Sequence, residues 1–438
     1  MGSSMGDARD RVNAAMREAP AQAFLFLFSF SLAFMRPPIE LLGFISVPSD
    51  FVFLGMVSVW ALLLALQRSR LVWDPAYCFI GAYLLAMVAS AAAADVPSSS
   101  AAKLLTQVYL LSLPIIVCSL VRDEEMLRRA ILWWLAGAAV VSFAGLASLL
   151  AFAVDRDNPI LDYTRFGFGT LPPGNYPRLS LTFLNANMAC NYLTVSLMLL
   201  LAARRQGWIG KLHFLLLLGG ILTAALSTIS PGLGGIALAV GLWMWMLKGR
   251  RGSTARLFLV GGTVTAALFV GAMAVTPILH PTAPFLIHVP ALDVVLAPAG
   301  RLMIWMDAGA NVFENPLLGR GIGSDAVLVR YQNPSGHLEQ LTDAHNNFLN
   351  IAVQCGLVGL AALVALIGHM VRRTVPLRLP DNDAGVFRVA VGIGLLNGLV
   401  YQGLGGSFED ARHLWFAFGL LLASGRIESC ARRMPVCS

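Results

Sequence analysis

Residues 344–370 read AHNNFLNIAVQCGLVGLAALVALIGHM, and from Phe348 onward no Asp, Glu, Lys or Arg occurs until Arg372. About 20 apolar residues in helical form cross a hydrocarbon core, so this stretch reads as a transmembrane helix. Its first residues do not fit that reading alone. Asn346 and Asn347 can cap a helix by accepting its first backbone N–H groups. A cap has no need of the histidine at 345.

The rest of the chain agrees with a membrane location. Of 438 residues 57% are hydrophobic and 13% charged, too few charges for the surface of a soluble domain of this size. Apolar runs place twelve spans at roughly 20–36, 51–67, 75–94, 101–121, 130–153, 181–203, 212–228, 231–247, 257–279, 346–370, 387–404 and 411–425. The fold class expected is all-α and polytopic, with both termini cytoplasmic. With that orientation the inner segments take 22 of the 31 Lys and Arg, while 14 of the 24 acidic residues fall outside. This is the positive-inside distribution. The net charge of +7 is therefore topogenic, and no nucleic-acid partner is expected. The six cysteines show no metal-ligand spacing and read as free thiols.

The spans divide the chain into helices 1–9 (1–279), a long outer loop (280–345), and helices 10–12 with a cytoplasmic tail (346–438). A loop of that length in a compact protein is usually functional. Within it Leu302, Trp305, Met306, Gly309 and Phe313 fall on one helical face, with Asp307, Asn311 and Glu314 opposite. Asn315-Pro316 ends this helix, which is expected to lie along the membrane surface with its apolar face down. A second outer segment spans 154–180, and a short third, GGSFEDARH, spans 405–413. Polar residues within spans gather toward the same side: Asn187 and Asn191 one turn apart, then Asn397, Tyr401 and Gln402. Helix–helix hydrogen bonding explains them equally well. Together with the charged loops they outline a cavity open to the outer side.

Five of the seven histidines, His280, His288, His337, His345 and His413, lie on that side. His337 and His345 have no third partner at ligand spacing, so no metal is expected. The outer arginines Arg165, Arg178 and Arg301 sit at the starts of membrane-proximal elements. A guanidinium fork suits a phosphate or diphosphate, and a neutral imidazole can take a proton from a hydroxyl. The outer loops are read as holding no Asp-x-Asp or Walker-type pattern, so no nucleotide and no cofactor is expected. The chemistry that remains is group transfer from a lipid-linked phosphorylated substrate.

GRLMIWMDAGANVFENPLLGRGIGSD (300–325), followed by His345-Asn346, nine residues, and Gly356-x-x-Gly359, resembles the O-antigen ligase and polymerase superfamily. PRLSLTFLNANMACNYL (177–193) is similar to an earlier region of that family. The resemblance implies a glycosyltransferase on the periplasmic face of the bacterial inner membrane. His345 would be the general base, and Arg301 and Arg178 would hold the diphosphate of an undecaprenyl-linked polysaccharide. The acceptor would be lipid A-core, with no metal and with inversion at the anomeric carbon. Arg165, Asn187, Asn346, His337 and Gln402 complete the expected substrate site. One departure is Ser230-Pro231, where many members have Ser-Arg; Arg165 is a candidate to replace that arginine. A polymerase of the same superfamily is the alternative, with a small-anion transporter behind it. The nearly apolar inner halves of the spans weigh against transport.

Overall fold

A computed structural model describes residues 19–41, 44–94, 96–155, 157–162, 165–168, 177–248, 253–277, 287–289, 294–298, 300–332, 338–374 and 383–433. Among them helices dominate. In chain order they are α1 (Ala19–Ser31), α2 (Pro48–Ala65), α3 (Ala76–Ala92), α4 (Pro97–Leu120), α5 (Glu124–Val154), α6 (Ala186–Arg205), α7 (Lys211–Ser227), α8 (Gly232–Lys248), α9 (Ser253–Ala274), α10 (Gly300–Glu314), α11 (Asn347–Thr374), α12 (Asp383–Leu396) and α13 (Arg412–Arg433). Six segments are long and apolar enough to cross a membrane: α2, α4, α5, α6, α11 and Ala384–Leu404. Five further apolar helices, in α1, α3, α7, α8 and α9, run 10–17 residues. All twelve apolar stretches expected from the sequence contain helix.

Local signals set the helix starts. Pro48 and Pro97 occupy first turns, where a missing N–H costs nothing. Asp123 caps α5 by accepting the Met126 N–H, with Glu124 and Glu125 favoured in the same turn by the helix dipole. The sixth span differs from its expected start at 181. Residues 177–181 form a strand paired antiparallel with 165–168, and Asn185 then caps α6 through the Met188 N–H. The polar cap overrides the apolar pattern of Leu181-Thr182-Phe183.

The helices sort into an inside and an outside. α6 is buried along nearly its whole length, and Leu414 to Phe418 and Leu420 to Ala423 of α13 are enclosed. α12 packs between α6 and α13, α13 against α4, and α11 against α3. In a membrane bundle the polar groups turn inward, and α6 brings Asn191, Thr194 and Ser196 into this core. The peripheral helices instead leave large apolar residues uncovered, such as Leu85 at 69%, Leu150 at 71%, Leu257 at 71% and Leu268 at 70% exposure. Faces of that kind need lipid.

α10 corrects one expectation. Ile304 and Ala308, one turn apart, are buried against Ala326, Val327, Ala344 and Val353. Trp305 turns with them into the protein, while Met306 and Phe313 stay exposed. The opposite face is also not simply solvated: Asn311 Nδ2 donates to the Ala326 carbonyl and Asp307 accepts the Leu328 N–H. α10 is a helix with two apolar stripes, one on the protein and one uncovered.

Candidate active site

α11 is broken near its middle, and the break explains two separate pieces of sequence. Gly356 sits at φ +63°, and a Cβ there would collide with the Leu317 carbonyl. The turn after α10 fills the gap: Leu357 N–H donates to the Pro316 carbonyl at 2.8 Å, Arg320 N–H to Val353 at 2.9 Å, and Gly321 N–H to Gln354 at 3.1 Å. Gly319, at φ +71°, is pressed against the same backbone. The Asn-Pro-Leu-Leu-Gly turn and the Gly-x-x-Gly of α11 are thus two halves of one joint.

That joint holds the segment leading into α11. Trp305 Nε1 donates to the Ala344 carbonyl at 3.0 Å, and Asn350 Oδ1 accepts the Ala344 N–H at 2.9 Å. His345 follows in the left-handed region at φ +49°, which few side chains adopt without support. Asp343 supplies the support. Its Oδ1 accepts the His345 backbone N–H at 2.5 Å and lies 3.3 Å from Nδ1. Asp343 is itself held by Ser407 Oγ at 2.5 Å and Asn350 Nδ2 at 3.1 Å. The carboxylate thus holds the backbone of His345 by a hydrogen bond and acts on its ring as a nearby charge. Burial pushes the His345 pKa below its ordinary value; Asp343 opposes this and the Arg301 charge reinforces it. The surroundings thus favour the neutral, proton-accepting form of the ring.

Asn346 caps α11, accepting the Phe348 N–H at 3.0 Å and the Leu349 N–H at 3.2 Å. Asn347 does not cap. Its Oδ1 accepts the Phe408 N–H and its Nδ2 donates to the Leu399 carbonyl at 3.1 Å.

Leu399 belongs to a run of carbonyls drawn out of regular helix. After Leu396, α12 widens into a π turn (Asn397–Tyr401) and then tightens into a 3-10 turn (Gln402–Leu404). Side chains from three other elements take its carbonyls: Asn191 Nδ2 that of Gly398 at 3.1 Å, Asn346 Nδ2 that of Leu404 at 3.3 Å, and Arg301 Nη1 that of Gly405 at 2.6 Å. Irregular turns of this kind recur where a helix builds a site.

Beside it lies a narrow cleft of about 10 Å³, room for roughly one water, lined by Asn187, Ser230, Gly232, Gln402, Gly405 and their neighbours. Both expected arginines brace its wall. Arg178 Nη2 donates to Asn187 Oδ1 at 3.0 Å and Nε to the Thr228 carbonyl at 3.0 Å, while Arg301 holds Gly405. The two guanidinium groups are near enough that burial and the Arg178 charge depress the Arg301 pKa. A pair of like charges held at a partly buried wall favours an anion between them.

Arg178, Asn187, Arg301, His345, Asn346 and Gln402 therefore converge on one end of the bundle. At the 228–231 turn the guanidinium in contact is Arg178, on the Thr228 carbonyl. Arg165 is described only as backbone, paired with Leu181, and its side chain lies outside the described residues. His337 and His280 also lie outside them. Asn187 and Asn191 diverge in use: Asn191 is fully buried and meets His413 Nε2 at 2.8 Å.

The sequence reading missed Asp343 as a partner of His345, although Asp-x-His before a capped helix is a usable signal. It also passed over Lys103 and Gln107, which both bond Asp410. Another correction concerns the outer carboxylates, which do include one Asp-x-Asp spacing at 155–157. Asp155 Oδ1 accepts the Asp157 N–H at 3.0 Å, so that carboxylate closes a turn after α5. Among the described residues no three His, Cys, Asp or Glu side chains gather as metal ligands.

Residues 213–364 match a family model described as O-Antigen ligase. The matched stretch takes in Arg301, the 315–319 turn, His345-Asn346 and Gly356-x-x-Gly359, and leaves out Arg178, Asn187 and Gln402. No curated protein matches the chain.

Proposed function

We propose that this chain, a member of the O-antigen ligase superfamily, is the ligase itself. It would transfer O-antigen polysaccharide from undecaprenyl diphosphate to lipid A-core on the periplasmic face of the inner membrane. The superfamily implies a glycosyltransferase-like membrane enzyme acting on polysaccharide and lipid-linked substrates. With the twelve spans and cytoplasmic termini expected from the charge distribution, the site end of the bundle would face outside. The observation that carries the finer reading is the bracing of one narrow cleft by Arg178 and Arg301 beside a neutral His345.

In this mechanism the donor diphosphate lies against the two guanidinium groups. The His345 imidazole takes the proton of an acceptor sugar hydroxyl, and that oxygen bonds to the anomeric carbon. The bond from this carbon to the diphosphate oxygen breaks, and its electron pair leaves with undecaprenyl diphosphate. One displacement inverts the configuration. Charge on the departing diphosphate is met by arginine, so neither a metal ion nor a nucleotide is required. His345→Ala is the residue-level counterpart.

The test is transfer by purified protein from lipid-linked polysaccharide to lipid A-core in excess EDTA without nucleotide. Product with inverted linkage supports the reading. Elongation of the lipid-linked donor alone makes the protein a polymerase. Activity lost to EDTA and restored by magnesium or manganese overturns the metal-free mechanism.

A further inference from the structure

The turn after α10 brings an arginine, Arg320, beside uncovered apolar residues of α11. Leu317 on that turn is 67% exposed, and Leu357 and Val358 of α11 are nearly half exposed. Backbone bonds hold the three together: the Val358 N–H donates to the Leu317 carbonyl at 3.3 Å, next to the bond from Leu357 to Pro316. Arg320 follows on the same turn, its N–H held by the Val353 carbonyl. Gly319 and Gly321 flank it, both at positive φ, and let the turn press onto α11 on one side and Ala94 on the other. Arg320 is half-buried, and its guanidinium has no hydrogen bond or ion pair among the described residues. Lys103, Arg178, Arg301 and Arg412, on the same outer side, each hold a protein group.

The depth of this turn follows from α3, which packs along α11. Ser90 Oγ donates to the Gln354 carbonyl at 2.6 Å, and Gly321 lies against Ala94 just past the helix. At the other end of the pair Asp74 meets Arg373. Between Ala76 and Ala92 α3 rises about 24 Å at roughly 1.5 Å per residue. A hydrocarbon core is about 30 Å thick. With the Asp74 end cytoplasmic, as expected from the charge distribution, Arg320 stands near the outer border of that core. A guanidinium on its flexible stem reaches the headgroup level from there. A charge at this border is costly unless an anion meets it, and a phosphate matches the guanidinium fork.

We propose that Arg320, with the shelf of Leu317, Leu357 and Val358, binds one anionic phospholipid of the outer leaflet. Its phosphate lies on the guanidinium and an acyl chain runs along the shelf. This site goes beyond the transferase reading and stands without it.

The test uses the purified full chain in phosphatidylcholine nanodiscs. Each holds a trace of one of two probes, phosphatidylglycerol or phosphatidylcholine with a photoactivatable acyl chain. Labelling within residues 315–323 and 353–358 is read by peptide mass spectrometry, relative to labelling at Leu150, an uncovered residue of α5. The wild type is expected to favour the phosphatidylglycerol probe there by about 5-fold or more. In Arg320→Gln the preference should fall to near unity. A second readout needs no variant: excess unlabelled phosphatidylglycerol should displace the probe from the turn in the wild type and leave Leu150 labelling unchanged. Equal labelling by the two probes, a preference kept in Arg320→Gln, or a probe that phosphatidylglycerol fails to displace overturns the site. Displacement by excess inorganic phosphate alone would make it a soluble-anion site and overturn the lipid assignment.

Discussion

Helices α11, α12 and α13 are built differently at their two ends. At the end away from His345, charges close on one another. Arg373 pairs with Asp74 at 2.8 Å, and Arg388 with Glu428 at 2.8 Å with both side chains nearly buried. Arg388 also holds the Arg373 carbonyl, and Arg426 that of Val121. At the His345 end, side-chain amides take carbonyls from a loosened helix, and acceptors such as Gln402 Oε1 and Glu409 Oε2 have no partner among the described residues. Burial and the adjacent Asp410 hold the Glu409 carboxyl well above the ordinary carboxylate range. One end spends its polar groups on holding helices together. The other keeps some in reserve, which is the economy expected of a site.

Substitutions at the two ends should therefore fail in different ways. The largest effect is expected for His345→Ala: a loss of about 100- to 10,000-fold in transfer with binding of lipid-linked donor retained. Activity close to wild type would reduce His345 to part of the turn before α11. Arg301→Lys and Arg178→Lys come next. Lysine keeps the charge but not the paired hydrogen bonds, so donor use should fall roughly 10- to 100-fold, read as kcat/KM for the lipid donor. Full activity in both would remove the diphosphate from this wall.

Asp343→Asn tests positioning. Without the carboxylate the imidazole loses its orienting partner, and kcat should fall roughly 10-fold with KM little changed. The smallest effect on chemistry is expected at the far end. Arg388→Ala removes one side of a nearly buried ion pair with Glu428, at a cost of about 1–3 kcal/mol in stability. Its Tm should drop while transfer per folded molecule stays the same. A variant as stable as wild type but inactive would erase the distinction between the ends.

Much of this was legible in the sequence, and the reasons differ by residue. The apolar helices follow from composition because peripheral ones keep large apolar faces uncovered, and α10 follows from its period. Arg178, Arg301, His345 and Asn346 stood out because charged or polar residues at span mouths are few. The face assigned to Trp305 was wrong because α10 has a second apolar stripe, Ile304 and Ala308, that a single-face reading merges with the first. The unwinding at 397–404 was not legible. It depends on Asn191, Asn346 and Arg301, each tens to hundreds of residues away, reaching its carbonyls. The bond from Asn350 to Ser407 is hidden for the same reason. Asp343 was legible only through its spacing of two from His345 before a capped helix, a short signal among the scattered outer carboxylates.

The account stands on a neutral His345 acting as base, and the pH dependence of kcat/KM tests it most directly. A base works only when unprotonated, so activity should rise with pH through its pKa and then level off. Because burial lowers that pKa from 6.5, the midpoint of the acidic limb should lie below pH 6.5 in the wild type. Asp343 raises the pKa, so in Asp343→Asn the limb should move to still lower pH. A midpoint above pH 6.5, or the same limb in the residual activity of His345→Ala, would contradict the assignment.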